Sequence, residues 1–310
     1  MPTLTIATRG SQLALAQARW VAGRLAALHP GLTVELEIIK TTGDKILDVP
    51  LAQVGGKGLF VKEIEDALLM GRAGLAVHSM KDVPSDLPEG LILAAVSERE
   101  DVRDVLVGRR GGGLETLPQG GRVGTSSLRR QAQLLALRPD LFMVPVRGNV
   151  ETRLKKLDTE GLDAVVLAAA GLNRLGLKDV PAHPLEPATM LPAVGQGALG
   201  LECRVDDAWV RALIAPLDHP PTAAAVAAER GFLARLEGGC QVPIAGHAVL
   251  DNGIVTLRGL VASLDGRRVV RGQGLAPPHE ARAMGAAVAE EVLERGGREI
   301  LAQVYGEAPA

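Results

Sequence analysis

Aromatic residues are almost missing from this chain: two tryptophans, one tyrosine and three phenylalanines, 2% of 310 residues. So few rings leave no stacking platform for single-stranded nucleic acid, and a formal net charge of −2 supplies no general cationic surface for phosphates. Nucleic-acid binding is therefore not expected. Cysteine is just as scarce. Cys203 and Cys240 form no C-x-x-C pair and the six histidines are scattered, which predicts neither a metal site nor a disulfide framework and fits a reducing compartment. No stretch approaches the roughly 18 apolar residues that a membrane span needs. The opening M-P-T-L-T-I-A-T-R-G lacks a basic segment followed by a long apolar core, so no signal peptide is read and a cytoplasmic location is expected.

What is present describes an ordinary globular protein. Apolar residues make up 47% and charged ones 23%, and the length allows two or three domains with sizeable cores. A strand (Leu4 to Thr8), a helix N-capped by Ser11 with apolar residues at Leu15, Ala18, Val21, Ala22 and Leu25, and a strand through V-E-L-E-I-I-K give a β-α-β opening. After a Gly-rich segment (Leu47 to Gly58), a helix is predicted from near Phe60, then strands at Leu75 to Met80 and Leu91 to Val96. The charged stretch E-R-E-D-V-R-D (Glu98 to Asp104) reads as a hinge. Beyond it β-α-β alternation resumes with V-L-V, R-V-G-T, L-F-M-V-P-V and D-A-V-V-L-A. Past Pro220 an Ala-rich helix (Ala223 to Leu236) leads into alternating strands with turn signals at Asp251-Asn252-Gly253 and Asp265-Gly266. A helix near Ala281 to Arg295 completes a small α+β domain with an antiparallel sheet.

Functional groups concentrate between Gly124 and Arg153, in G-T-S-S-L-R-R and then R-G-N-V-E-T-R. Arg129, Arg130, Arg147 and Arg153 carry planar guanidinium forks that grip a carboxylate bidentately. Thr125, Ser126 and Ser127 stand where a strand runs into a helix N-terminus, whose free N–H groups favour an anion. An arginine pair at a helix start can also be a solvated face. Here each polar junction follows an apolar strand, and ligands of open α/β sheets bind beyond the carboxyl ends of strands. A socket for several carboxylates is expected.

Arg9 and Ser11 repeat the arrangement after the first strand, and N-capping by Ser11 is compatible with anion binding. Asp82 follows a strand in H-S-M-K-D-V-P-S, beside Lys81. It reads either as half of a surface Lys–Asp pair or as one acid among several bases, placed to stabilise a cation. Lys57, in G-G-K-G, is either a lid residue or part of a surface loop. Cys240 lies in L-E-G-G-C-Q-V-P-I, where the glycines allow close backbone approach. A reactive or modified thiol and a small buried hydrophobe both stay open there, whereas Cys203 reads as the latter. V-G-Q-G-A-L-G (Val194 to Gly200) matches G-x-G-x-x-G but does not close the first strand of a β-α-β unit, so nucleotide binding is not expected.

Taken in order, A-T-R-G-S, V-G-G-K-G-L-F-V-K-E, A-V-H-S-M-K-D-V-P, E-R-E-D-V-R-D, V-G-T-S-S-L-R-R, R-G-N-V-E-T-R, L-P-A-V-G-Q-G-A and L-E-G-G-C-Q-V-P-I resemble the porphobilinogen deaminase (hydroxymethylbilane synthase) family over nearly the whole chain. The resemblance implies an α/β fold of two doubly wound, periplasmic-binding-protein-like domains with the active-site cleft between them, plus a small C-terminal α+β domain with an antiparallel sheet. Their expected bounds are 1–98 with 197–216, 103–192 and 220–310.

It also implies a transferase. Such an enzyme joins four porphobilinogen molecules head to tail with loss of ammonia, then hydrolyses off the linear tetrapyrrole. Growth would occur on a dipyrromethane held by a thioether to Cys240. Each ring carries an acetate and a propionate, which accounts for the arginines, since so many carboxylates cannot be desolvated unpaired. By resemblance Lys81, Asp82, Ser127, Arg129 and Arg130, with Thr125 and Ser126, would hold the primer. Arg9, Ser11, Arg147, Arg153 and Gln196 would hold substrate and growing chain, and Lys57 and Phe60 would belong to a lid. Asp82 would be catalytic, placed against the pyrrole N–H groups as positive charge develops. No metal, nucleotide or membrane is implied, and a monomer is expected. Gly10 and Gln53 depart from residues usual in the family, which leaves helix entry and the lid in question. A non-catalytic binder of a polyanion is the competing reading, and a covalent primer on Cys240 would discriminate the two.

Overall fold

The computed structural model describes residues 2–45, 61–237 and 242–306. The chain opens with β1 (Thr3–Arg9), α1 (Gln12–Leu28), β2 (Thr33–Ile39) and one helical turn at Thr42–Lys45, followed by α2 (Lys62–Leu69), β3 (Leu75–Ser79) and β4 (Leu91–Val96). Next come β5 (Asp104–Gly108), β6 (Arg122–Gly124), α3 (Leu128–Leu137), β7 (Phe142–Val144), α4 (Val150–Thr159), β8 (Ala164–Ala168), α5 (Ala169–Arg174) and β9 (Ala182–Leu185). The remainder is β10 (Leu199–Arg204), α6 (Ala208–Ile214), α7 (Pro220–Arg235), β11 (Ile244–Asp251), β12 (Ile254–Ala262), β13 (Val269–Ala276), α8 (Ala281–Val292) and α9 (Arg298–Tyr305).

These elements divide into two compact units, Met1–Glu100 with Gly197–Ala223, and Asp101–Gln196 with Ala224–Ala310. The first unit is built on one five-stranded sheet in the order β2-β1-β3-β10-β4, in which only β10 runs against its neighbours. Alternation along each strand sends side chains to both faces. Leu4, Ile6, Leu75 and Val77 pack with Val21 and Leu25 of α1 and Ile214 of α6, while Ala7 and Ala76 pack with Ile64, Ala67 and Leu68 of α2. Helices thus cover both sides, the doubly wound arrangement.

The second unit repeats that plan in the sheet β7-β6-β8-β5-β9, with β5 the reversed strand. Leu106, Val123 and Val166 face Leu134 of α3. Val105, Val107 and Val165 face the side of Leu172 in α5 and Leu154 in α4. The same unit contains the predicted antiparallel sheet, in the order β11-β12-β13, packed against α7, α8 and α9 around Phe232, Leu257, Val261, Val292 and Ile300. The β11–β12 connection is the expected two-residue turn: Asn252 (φ 49°) and Gly253 (φ 79°) take the left-handed conformations that its twist requires.

Differences from the sequence-based expectation have local causes. The final helix does not end at Arg295 but breaks there, because Gly296 takes φ 104°, and the path resumes as α9. β7 stops at Val144, before Pro145, which has no N–H for a ladder. β10 was not readable as a strand because five of its six residues are buried, so no alternation shows in L-G-L-E-C-R.

Candidate functional site

In the first unit, the carboxyl ends of β1 and β3 bring together Arg9, Ser11, Gln17, His78, Ser79 and Asp82 around a cavity of about 70 Å³. Ser11 caps α1, its hydroxyl accepting from the Ala14 N–H at 3.3 Å. The carboxyl side of β3 runs into a tight turn, Met80–Asp82, that leaves Lys81 and Asp82 half-buried while Met80 is buried beneath them. Gln17, buried on α1, donates to the Ser79 hydroxyl at 2.8 Å and fixes the wall beside Asp82.

Arg9 has a protein partner. Its guanidinium is paired with Asp44, with Nε at 3.1 Å from Oδ1, and the Thr41 hydroxyl also donates to Asp44 at 2.8 Å. Partial burial pushes the Asp44 carboxyl up, but Arg9 and Thr41 outweigh it and hold it below the usual carboxylate range. Sequence reasoning missed Asp44, Gln17 and Ser79. Gln17 alone gave a signal, as a polar residue adjoining the apolar stripe of α1.

In the second unit, β6 leads into Thr125, Ser126 and Ser127 and so into α3. The Thr125 N–H donates to the Val144 carbonyl at 2.9 Å, the Ser126 hydroxyl to the Val146 carbonyl at 2.9 Å, and Ser127 caps α3. Ser127 Oγ accepts from the Arg130 N–H, so one of the free N–H groups of that terminus is already capped.

Arg129 and Arg130 do not stand open at that terminus. Both are about 5% exposed, and they share Asp104 at the start of β5. Arg129 Nη1 donates to Asp104 Oδ2 at 2.6 Å and to the Leu191 carbonyl, while Arg130 donates to Asp104 Oδ1 through Nε and Nη2 and to the Val166 carbonyl through Nη1. Burial pushes the Asp104 carboxyl up, but the charges of the two arginines overcome this and hold it far below the usual range. Gln196, 1% exposed, donates its amide to Asp104 at 3.0 Å and to the Val102 carbonyl at 2.7 Å. Asp104 was hidden in the charged stretch read as a hinge. Two guanidiniums against one carboxylate leave this buried cluster with one positive charge in excess, and one more anionic partner would balance it.

The second junction follows β7. Asn149 caps α4, accepting from the Thr152 N–H at 2.8 Å, and Arg153 donates Nε to the carbonyl of Gly148 at 2.8 Å. Gly148 sits at φ 112°, and a Cβ there would strike Thr152. Arg147 is half-buried in the same turn. Lys57, Phe60 and Cys240 lie outside the described residues. Cys203 is wholly buried in β10 and burial pushes its thiol up to about 11, as expected for a small core hydrophobe. Of the V-G-Q-G-A-L-G glycines, Gly195 and Gly197 precede β10 and Gly200 lies within it, so none follows a strand as the fingerprint requires. Gly197 is tightly enclosed, since a Cβ there would stand 2.4 Å from the Glu100 carbonyl. Among the described residues no three His, Cys, Asp or Glu side chains are grouped to hold a metal ion, and no helix is long and apolar enough to cross a membrane.

The two sheets are doubly wound α/β units, a class in which ligands bind beyond the carboxyl ends of the strands, where Arg9, Ser11, Asp82 and the Thr125–Ser127 junction lie. Residues 4–212 match the model of the porphobilinogen deaminase dipyromethane cofactor binding domain, and residues 223–294 match the porphobilinogen deaminase C-terminal domain. The chain belongs to the porphobilinogen deaminase family. A porphobilinogen deaminase of Geobacter metallireducens is 59% identical over 97% of this chain and 95% of its own length, and that of Syntrophobacter fumaroxidans is 57% identical over 97% and 98%. Among solved structures, the probable amino-acid ABC transporter extracellular-binding protein ytmK of Bacillus subtilis is similar at a TM-score of 0.42 with 9% identity, over 70% of this chain and 90% of that one.

Proposed function

We infer that this chain carries the transferase activity of its family: it condenses four porphobilinogen molecules head to tail with release of ammonia and hydrolyses off the linear hydroxymethylbilane. Asp82 is the catalytic group. The observation that carries this reading is the cavity in which Asp82 meets Arg9 and Ser11 at the carboxyl ends of two neighbouring strands. Arg9 and the capped start of α1 favour a substrate carboxylate, and Asp82 accepts from pyrrole N–H. As ammonia departs, the substrate becomes cationic, and a carboxylate already aimed at the ring stabilises that charge without reorganising. The same carboxylate can hold a proton between bond-breaking and bond-making.

The donor set of the second unit fits the dipyrromethane cofactor of the family. The excess positive charge on Arg129 and Arg130 beside Asp104, with Ser127 at the helix start, suits a ring bearing an acetate and a propionate. We assign Lys81, Thr125, Ser126, Ser127, Arg129 and Arg130 to holding it, Cys240 to its thioether, and Arg9, Ser11, Arg147, Arg153 and Gln196 to substrate and growing chain. Gln196 would act through Asp104, which its amide braces. Lys57 and Phe60 are assigned to a lid. When bound, the cofactor supplies the free pyrrole carbon at which growth starts. The antiparallel sheet with its helices has a main core of its own, beside a smaller one in which Ala132 and Leu191 join Ala245, Leu260 and Ala262; residues 103–192 and 220–310 are assigned as separate domains, almost wholly within the second unit. A cytoplasmic monomer that does not bind nucleic acid completes the proposal.

The test is Asp82→Asn, which keeps hydrogen bonding and removes the charge. It should retain the covalently bound mass and lose turnover; near-normal turnover would refute the role.

A further inference from the structure

Between α2 and the first sheet lies a group of ionisable side chains that the mechanism above does not use. His78 of β3 pairs with Gly200 of β10, and Glu202 lies two residues further along β10, so both side chains project to the face covered by α2. His78 Nε2 and Glu202 Oε2 are 2.8 Å apart, with the side chains 4% and 1% exposed. Glu65 reaches the same layer from α2 and is 6% exposed. Around them the packing is apolar: Ala7, Ile64, Ala67, Leu68 and Ala76.

Two oxygens in this layer, Glu65 Oε1 and Glu202 Oε1, are buried without a hydrogen-bond partner among the described residues. A buried carboxylate oxygen left so is costly, and a proton between carboxylates removes the cost. His78 connects the layer to the chemistry, because it also lines the cavity that holds Asp82.

We propose that Glu65, His78 and Glu202 form a buried proton-holding unit that serves Asp82, taking up through the His78 ring a proton released in the cavity and returning it by the same route between condensation steps. The proposal rests on the activity inferred above. Each condensation forms one C–C bond, breaks the C–N bond to the departing ammonia, and breaks one C–H bond whose electron pair stays with carbon. The proton so freed is the one the unit holds; on its return it protonates the aminomethyl nitrogen of the next porphobilinogen, which then leaves as ammonia, and nothing is oxidised or reduced.

The charged surroundings are consistent with this. α2 packs on β1, β3, β4 and β10. From these strands the ionisable groups are His78, Glu202, Arg9, which is paired with Asp44, Arg204, which donates to the Leu68 and Ala73 carbonyls, and the Cys203 thiol, which packs in the core on the opposite face of the sheet; β4 has none. α2 itself adds Lys62, Glu63, which accepts from Thr42, and Asp66. Burial, then the nearby Glu202, push the Glu65 carboxyl up to about 7, with His78 opposing and Asp66 adding to the rise.

The experiment is infrared difference spectroscopy of the holoenzyme across neutral pH, with the pH profiles of kcat and KM measured on the same preparations. The wild-type chain should show the carbonyl band of a protonated carboxylic acid titrating near neutrality, with an acid limb of kcat that follows it. Glu65→Gln should lose the band and shift the kcat limb by about one pH unit or more while KM holds. Glu202→Gln, which removes the other carboxylate, should shift both as well. No titrating band, a band that persists in Glu65→Gln, or an unshifted limb would overturn the proposal. A titrating band in a protein that never turns over would support the proton-holding unit and overturn the activity, so the two failures read differently.

Discussion

Arg130 grips the carboxylate of Asp104 through two nitrogens, Nε at 3.1 Å and Nη2 at 2.8 Å, and neither side chain is more than 6% exposed. Arg129 holds the other oxygen. Removing the shared anion would leave two like charges buried side by side. Asp104→Asn should therefore cost about 3–5 kcal/mol of stability, measured as a fall in the denaturant midpoint. A loss below about 1 kcal/mol would mean that the guanidiniums find water or another anion instead.

Asp82 carries the opposite expectation. It is half-buried at a strand end and holds no core together, so Asp82→Asn should leave the unfolding midpoint within about 0.5 kcal/mol of wild type. Its kcat should fall by about 100-fold or more, the size expected when a preorganised charge is removed from a developing cation. Steady-state kinetics and urea titration on one preparation check both halves.

Glu65 makes stability depend on pH in an unusual direction. Its carboxyl titrates at 4.5 in the unfolded reference and near 7 in the fold, so the folded state binds the proton more tightly. The stabilisation is complete below the unfolded value and is lost as pH rises through the folded one. Tm should drop between about pH 5 and pH 7.5, and Glu65→Gln should flatten that slope. Above neutrality the variant should exceed wild type by on the order of 1–3 kcal/mol. Asp44 and Asp104, whose carboxyls are lowered, act only at more acid pH.

The C-terminal helices test packing alone. At Gly285 of α8 a Cβ would stand 2.0 Å from the Ala228 carbonyl of α7, and at Gly231 it would stand 2.1 Å from the Arg282 carbonyl. Gly285→Ala must push two backbones apart, and should cost about 1–3 kcal/mol despite the better helix propensity of alanine. An unchanged or raised Tm would show that the helices can separate freely.

Much of this was legible in the sequence because it depends on local rules. Period-two alternation marked β1 and β12, Ser11 and Ser127 announced their helices, and Asn252-Gly253 fixed its turn. The strand-end positions of Arg9, Asp82 and the Thr125–Ser127 junction followed from the same signals. What could not be read depends on long-range pairing. Nothing near Arg129 in sequence announces Asp104, 25 residues earlier, or Gln196, 92 residues beyond Asp104. Nor does anything near Glu65 announce Glu202. β10 hid for a related reason, since a strand buried on both faces has no polar face to mark its period.

The most direct test of the central claim is the intact mass of the denatured protein before and after addition of porphobilinogen. The mass should exceed that of the chain by two condensed porphobilinogen-derived rings, absent in Cys240→Ser, with further single-unit increments once substrate is supplied. A chain at its bare calculated mass that porphobilinogen does not change would contradict that claim.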